Sequence, residues 1–360
     1  MTNEQPNDLA PQAQLLRDRV SDLKGKEPNL RIRDVASRLE VGEGQLVALR
    51  CGVDVWRLDL SGRLNDLIEA LPTVGRVMVL TRNETCVHER KGVFGNIKLG
   101  KGHGIVLNRE IDLRLFLGNW VHGFWVRDET PRGERNSLQF FDAYGTAMHK
   151  IYVLEDGDQD AFRKLVNGYV HGDQTPFMLV EGAMPPSEDR PDEEINADGF
   201  LQAWSEMTDV HQYMRLLTKF GISRRQSMRL ASGRFADQVP TTALSDALTK
   251  ASDLKLPIMV FVGNRGCVQI HTGTVKRVER MGDWLNVLDP DFNLHVREDR
   301  LAEAYIVRRP TVDGTVTALE LFDVDGAHVF SMFGERGEGR AERPEWREIL
   351  TELSLPQAAE

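Results

Sequence analysis

Nine histidines and three cysteines are the side chains of this chain best suited to metal or nucleophile chemistry, and their spacing limits what that chemistry is. The histidines stand at 88, 103, 122, 149, 171, 211, 271, 295 and 328, with neither HExxH nor HxH, so the spacings of zinc proteases and zinc deaminases are absent. A metal held by so few protein ligands would arrive already caged in a cofactor. Cys51, Cys86 and Cys267 form no CxxC pair and read as buried thiols in a reducing compartment. The run Gly100-Lys101-Gly102-His103-Gly104 has the composition of a phosphate loop, but it joins two strands and opens no helix, so a hairpin is expected. His211 is the most informative histidine. Thr208 or Asp209 is the expected N-cap of its helix, Val210, Tyr213, Met214, Leu217 and Phe220 form the apolar stripe, and Gly221 ends it. His211 lies outside that stripe, in the first turn, where the positive end of the helix dipole favours a neutral imidazole. From its position alone it is either a cap or surface group, or a ligand.

The elements that carry these residues are written twice. Asn83 recurs as Asn264, Cys86-Val87 as Cys267-Val268, Gly92 as Gly273, Val126-Arg127 as Val307-Arg308 and Phe141-Asp142 as Phe322-Asp323, all at a constant spacing of 181 residues. The chain is therefore a tandem duplication of one α+β module: helical patterns at 13–23 and 31–50, then short apolar runs from Gly75 to Val153 punctuated by Gly, Asn and Asp, the pattern of an antiparallel meander. The expected organisation is a mobile N-terminus over 1–12, repeat 1 over 13–181, an acidic, Pro- and Gly-rich flexible linker over 182–199, repeat 2 over 200–347 and a C-terminal tail over 348–360, with a helix near 344–353. Residues that recur are most simply fold residues, and chemistry present in one copy only marks a candidate site. His211 has Leu30 as its counterpart, His88 has Gln269, and His295 has Arg114. His88 reads as a solvent-facing residue at a strand end. Strand alternation puts Arg114 and Phe116 on one face and Leu113 and Leu115 on the other, leaving Arg114 as either a salt-bridged surface residue or a pocket wall.

Bulk properties narrow the function classes. The formal net charge is −10 with a pI near 5.5, so no global field favours nucleic acid or an anionic membrane. Residues 31–50 have a helix-turn-helix look, yet the same two-helix pattern recurs at 212–231, so it belongs to the module and DNA binding or regulation is the remote alternative. The N-terminus has no basic and apolar signal pattern and no run of 18 apolar residues occurs, so membrane insertion is not expected and a cytoplasmic location is.

The strings MTDVHQYM (207–214), MVFVGNRGCVQIHTG (259–273), WLNVLDPDFNLHVRED (284–299) and VRRPTVDGTVTALELFD (307–323) resemble the cytoplasmic haemin-transport and haemin-degrading proteins of the HemS/ChuS/PhuS type, as do RNETCVHE (82–89), DLRLFL (112–117) and RGERNSLQFFD (132–142). The likeness runs from about Leu15 to Trp346. It implies two large antiparallel sheets, one per repeat, stacked in a saddle with flanking helices, and haem as cofactor in a cleft between the halves. On that resemblance His211 matches the axial ligand of the haem iron, and Arg114 the distal arginine that would be catalytic in an enzyme. Phe116 and Phe261 match apolar residues around the macrocycle, Arg224, Arg309 and Arg336 match basic residues at the propionates, and His88 matches an alternative ligand. Ser331 and Phe333 replace a glutamine and a tyrosine common in the family, and Arg309 replaces a rim lysine. The implied function is to accept imported haem and traffic it to a haem oxygenase, to degrade it and release iron, or both, with an inner-membrane haem importer as the other partner.

Overall fold

The duplication is visible element by element in the computed structural model, which describes residues 6–131, 133–182, 189–337 and 339–354. The first half runs α1 (Pro6–Lys26), α2 (Ile32–Leu39), α3 (Glu43–Ala48), β1 (Val55–Arg57), α4 (Leu64–Ala70), β2 (Arg76–Arg82), β3 (Cys86–Val93), β4 (Ile97–Leu99), β5 (Gly104–Leu107), β6 (Asp112–Leu115), β7 (His122–Thr130), β8 (Gly133–Phe141), β9 (Ala147–Val153) and α5 (Gln159–Asn167). The second half runs α6 (Ala197–Ser205), α7 (Gln212–Phe220), α8 (Arg224–Leu230), β10 (Ala236–Val239), α9 (Ala243–Asp253), β11 (Ile258–Gly263), β12 (Cys267–Gly273), β13 (Val278–Met281), β14 (Trp284–Leu288), β15 (Phe292–Arg297), β16 (Leu301–Thr311), β17 (Gly314–Asp323), β18 (His328–Gly334) and α10 (Pro344–Ser354). The fold is α+β, with two nine-stranded antiparallel sheets in the orders β1-β7-β8-β9-β2-β3-β15-β14-β13 and β10-β16-β17-β18-β11-β12-β6-β5-β4. The orders are copies of each other, and each ends on three strands from the opposite half of the sequence. That corrects the expectation of one sheet per repeat.

Two compact units result, and each takes in a short segment of the opposite half: Arg82–Glu89 belongs to the second unit and Asn264–Val268 to the first. The recurring asparagine holds each segment. In the second unit Asn83 Oδ1 accepts the N–H groups of Thr85 (3.1 Å) and Cys86 (2.8 Å), while its amide donates to the Val329 carbonyl at 2.6 Å. In the first, Asn264 Oδ1 accepts from Gly266 and Cys267, and its amide donates to the Met148 carbonyl at 2.9 Å. A side chain that is acceptor and donor at once caps the turn and ties it to a strand, which the acceptor-only carboxylate of aspartate does not do.

Within the second unit, the face of β16–β18 and β11 carrying Tyr305, Val307, Ala318 and Phe333 packs under Phe200, Trp204 and Tyr213 of α6 and α7. The opposite face, with Ile306, Leu319, Leu321 and Met332, packs on α9 and α10 through Leu244, Leu248 and Trp346. This is the period-2 alternation of strands buried on both sides. In the first unit α4 and α5 cover the face with Val79, Leu138 and Ile151, while α2 and α3 lie with Phe124, Val126 and Phe141 on the other.

Several expectations are refined. Residues 6–12, expected to be a mobile tail, are the first turns of α1, and 1–5 lie outside the described residues. Of the expected flexible linker, 183–188 lie outside them; beyond it Asp189 and Asp192 are held by Arg229 and Gln226, and α6 begins at Ala197. The tail from 348 is largely α10, and 355–360 lie outside the described residues. Helix α3 buries Glu43, Gly44, Leu46, Val47 and Ala48, which leaves no face to enter a DNA groove. The Gly100–His103 segment closes a hairpin between β4 and β5, with the Gly100 N–H bonded to the His103 carbonyl. All three cysteines are free and buried. Among the described residues no helix is long and apolar enough to cross a membrane.

Replacing Asn83 by alanine removes four hydrogen bonds at this tie, and a loss of about 2 kcal/mol in unfolding free energy is expected in denaturant titrations. Asn83→Asp, which keeps the two accepted bonds, should lose less.

Candidate functional site

The site residues of the second unit are set by α7, α8 and three adjacent strands. Tyr213 and Leu217 anchor α7 in the core, and Gly221 ends it in the left-handed conformation (φ 63°). Met214, assigned above to the apolar stripe, is exposed; its position is a further turn of 100° round the helix from Tyr213, towards solvent. The helix also starts later than expected. Its cap position is His211 itself, after a tight turn in which Gln212 and Tyr213 donate to the carbonyls of Asp209 and Val210, while the Gln212 side chain reaches back to accept from the Thr208 N–H at 2.8 Å. Thr208 and Asp209 therefore cap this turn rather than the α-helix.

That turn presents His211. Its side chain is 83% exposed, yet its ring is oriented: Asp209 Oδ1 lies 2.6 Å from Nδ1 and also accepts the His211 backbone N–H at 2.7 Å. The backbone bond first, then the ring, holds the Asp209 carboxyl below the usual carboxylate range, with Arg336 adding its charge. A carboxylate only accepts, so Nδ1 carries a proton, and in the neutral ring Nε2 is the nitrogen with the lone pair. This is the carboxylate–histidine arrangement found behind metal-bound imidazoles. Half-buried Arg336 sits in the charge range of both Asp209 and Glu342, and burial lowers its pKa.

Beneath α7 and α8 the expected propionate arginines meet a residue that sequence reasoning missed. Glu320 on β17 is fully buried and accepts two bonds from Arg224, at 2.7 Å and 2.9 Å, and a third from Arg309. Arg224 also donates to Ser331 Oγ at 3.0 Å, Ser331 meets His328 Nε2 at 3.0 Å, and the Arg309 guanidinium lies 4.1 Å from the centre of the Tyr213 ring. Burial disfavours the Glu320 carboxylate, but the two guanidiniums outweigh it and hold the carboxyl well below its usual range. Burial, with the same two cations, pulls His328 down to about 3, so it is neutral at physiological pH. Arg309 is only 3% exposed and already neutralised, which corrects its expected place at an accessible rim; Arg224 keeps 25% of its side-chain surface. A signal was present: Glu320 is a lone acid in the apolar run ALELF, and its counterpart is Gln139. Phe261 packs against Phe333 with ring centres 5.1 Å apart, and Phe261 lies opposite Ser331 across the strand pair.

In the first unit Arg114 and Phe116 form a group of their own. Leu113 and Leu115 are buried and Phe116 is 41% exposed, as alternation requires. Arg114 is paired with Asp112 and stands across the strand pair from exposed Ile105, so an arginine edges an apolar surface. The expected solvent-facing place of His88 is corrected: it is fully buried, within 2.7 Å of Gln269 and against Phe292. His295 is tied to Asn286 at 2.7 Å. No group of three or more His, Cys, Asp or Glu side chains able to hold a metal ion occurs among the described residues.

Comparison with known proteins gives concordant results. The haemin-degrading HemS.ChuX domain model matches twice, at residues 40–169 and 221–353, in step with the duplication. The hemin transport protein HemS of Yersinia enterocolitica is 39% identical over 335 residues, covering 92% of this chain and 95% of that protein. Holo-PhuS, a heme-binding protein from Pseudomonas aeruginosa, superposes with a TM-score of 0.88 at 40% identity, covering 96% of this chain and 98% of that one. The heme degrading enzyme ChuS of Escherichia coli O157:H7 superposes at 0.86 and 39% identity, covering 95% and 99%.

Two outcomes are expected from the buried network. Glu320→Gln leaves two buried guanidiniums without a counter-charge and should cost about 3–5 kcal/mol in denaturant titrations. His328 has a folded pKa below its unfolded value, so its contribution is complete above about pH 6.5 and is lost as pH falls from there towards about 3. His328→Gln should flatten the acid limb of the stability profile by up to about 1.4 kcal/mol per pH unit.

Proposed function

Because the chain belongs to the haemin-degrading HemS.ChuX family, we propose that it binds haem through His211 and then hands it on or begins its breakdown. The observation that carries this reading is the exposed His211 ring with Nδ1 anchored on Asp209, which leaves Nε2 for an iron. The other donors suit the same molecule. Haem is an apolar disc with two carboxylates and one Lewis-acidic iron, so it calls for an imidazole, apolar walls and guanidinium groups. Arg336 and the exposed part of Arg224 would meet the propionates, and Phe261 would pack on the macrocycle. Arg309 would act indirectly, with Glu320 setting the field around Arg224. When bound, haem supplies redox chemistry at its iron; the protein's part is to fix the imidazole and to screen the carboxylates.

The relatives' names support both trafficking and degradation, one being a transport protein and another a heme degrading enzyme. A cytoplasmic site of action, a haem oxygenase as acceptor and an inner-membrane importer as source complete the trafficking reading.

Haemin titration of the apoprotein is expected to give a saturable Soret shift at one equivalent, with affinity reduced at least tenfold in His211→Ala and by less in Asp209→Asn. Ligation requires a neutral imidazole, so wild-type affinity should fall as the solution is acidified, and a flat profile would contradict His211 ligation. Arg114→Ala separates the two roles: turnover lost with binding retained marks degradation, and slower transfer without ring opening marks trafficking.

A further inference from the structure

The first repeat holds a cavity of about 520 Å³, and all of its lining residues lie within the first unit. Its strand floor is Asp128, Gln139, Lys150 and Tyr152, the counterparts at 181 residues of Arg309, Glu320, Ser331 and Phe333. The buried ion pair is preserved with its polarity reversed. In the second repeat the helix gives the base (Arg224) and the strand the acid (Glu320); in the first, the helix gives Glu43 and the strand gives Lys150. Both members of this first-repeat pair are at least nine-tenths buried.

The space has a cause in the sequence. The aromatic residues Trp204 and Tyr213 that pack over the second site have Leu23 and Ile32 as counterparts, and Phe200 and Phe235 have Arg19 and Asp54. Smaller or charged residues replace aromatic volume, so the cover of α1–α3 over the sheet leaves room. The walls are apolar on the helix side, with Val20, Ile32, Val35, Leu46 and Val47. The polar side is cationic. Arg17, Lys24, Arg50, Arg135 and Lys150 line the cavity against Asp128 alone, and even with Asp54 and Glu43 paired to them a positive excess remains. No imidazole lines it, because His211 corresponds to Leu30. A volume within the usual ligand range, an apolar wall and converging cations are the attributes of a small-molecule site.

We infer that this cavity binds an amphipathic organic anion, an apolar body carrying a carboxylate, without histidine ligation of a metal. The site does not rest on the haem reading and uses none of its residues.

The test is a titration of the full chain with 1-anilinonaphthalene-8-sulfonate, followed by displacement with dodecanoate or with iron-free protoporphyrin IX. One saturable equivalent is expected, unchanged in His211→Ala, and weakened at least tenfold in Ile32→Tyr and in Val47→Met, which install the second repeat's own residues (Tyr213 and Met228). Circular dichroism melting establishes that each variant is folded, and Val47→Met carries the test if Ile32→Tyr does not fold. Displacement by dodecanoate identifies an aliphatic acid as the fitting ligand, and displacement by protoporphyrin alone a tetrapyrrole. The inference is overturned by no saturable binding, by binding that survives both substitutions in folded protein, or by loss of binding in His211→Ala. Haemin affinity lost in His211→Ala with naphthalenesulfonate binding intact would show the two sites to be separate.

Discussion

A single buried carboxylate, Glu320, joins a helix to two strands in the second unit, and the candidate ligand residues take their places from it. It receives Arg224 from the start of α8 and Arg309 from β16, and it faces Ser331 across β17 and β18. Two cations on one anion leave a net positive charge beneath α7, which adds to burial in keeping His328 neutral and strengthens the attraction of that region for carboxylates. The arrangement costs desolvation and needs good geometry to be stable, conditions met here by a bidentate contact and by the stacking of Arg309 on Tyr213. Tyr213 in turn anchors α7, whose start presents His211.

The duplication shows how one scaffold supports two chemistries. The backbone elements match from α2 to β9 against α7 to β18, and the two sheet orders are copies. At the same place on that backbone, one copy packs aromatic residues over an Arg–Glu–Arg cluster and presents an imidazole, while the other reverses its ion pair, gives up the aromatic packing and keeps a cavity. A buried charge cannot be exchanged alone; Arg224 and Glu320 have changed together relative to Glu43 and Gln139, with Lys150 in place of Ser331.

Much of this was legible before any coordinates. The constant spacing of 181 residues gave the repeat, the punctuated apolar runs gave the meanders, and the absence of a counterpart to His211 singled it out. Other features were not legible because they depend on contacts distant in sequence. Arg224 and Glu320 are 96 positions apart and Asn83 and Val329 are 246 apart, so no local pattern couples them. His88 shows the same limit: alternation puts it at a strand end, but only the tertiary structure shows that both faces of that strand are covered.

By itself the sequence determined the α+β class and the twofold repetition, which follow from periodicity, turn chemistry and residue type acting over a few positions; the haemin-handling family, and with it His211 as the candidate axial ligand, came from the resemblance of its longer motifs. The tertiary structure alone decided that each sheet draws strands from both halves of the chain, that Arg309 is buried and paired rather than open to solvent, that Asp209 orients the ring of His211, and that the first repeat holds a cavity. Each of these depends on which groups meet across strands and between helix and sheet, where burial makes an unpaired charge or an unfilled volume matter.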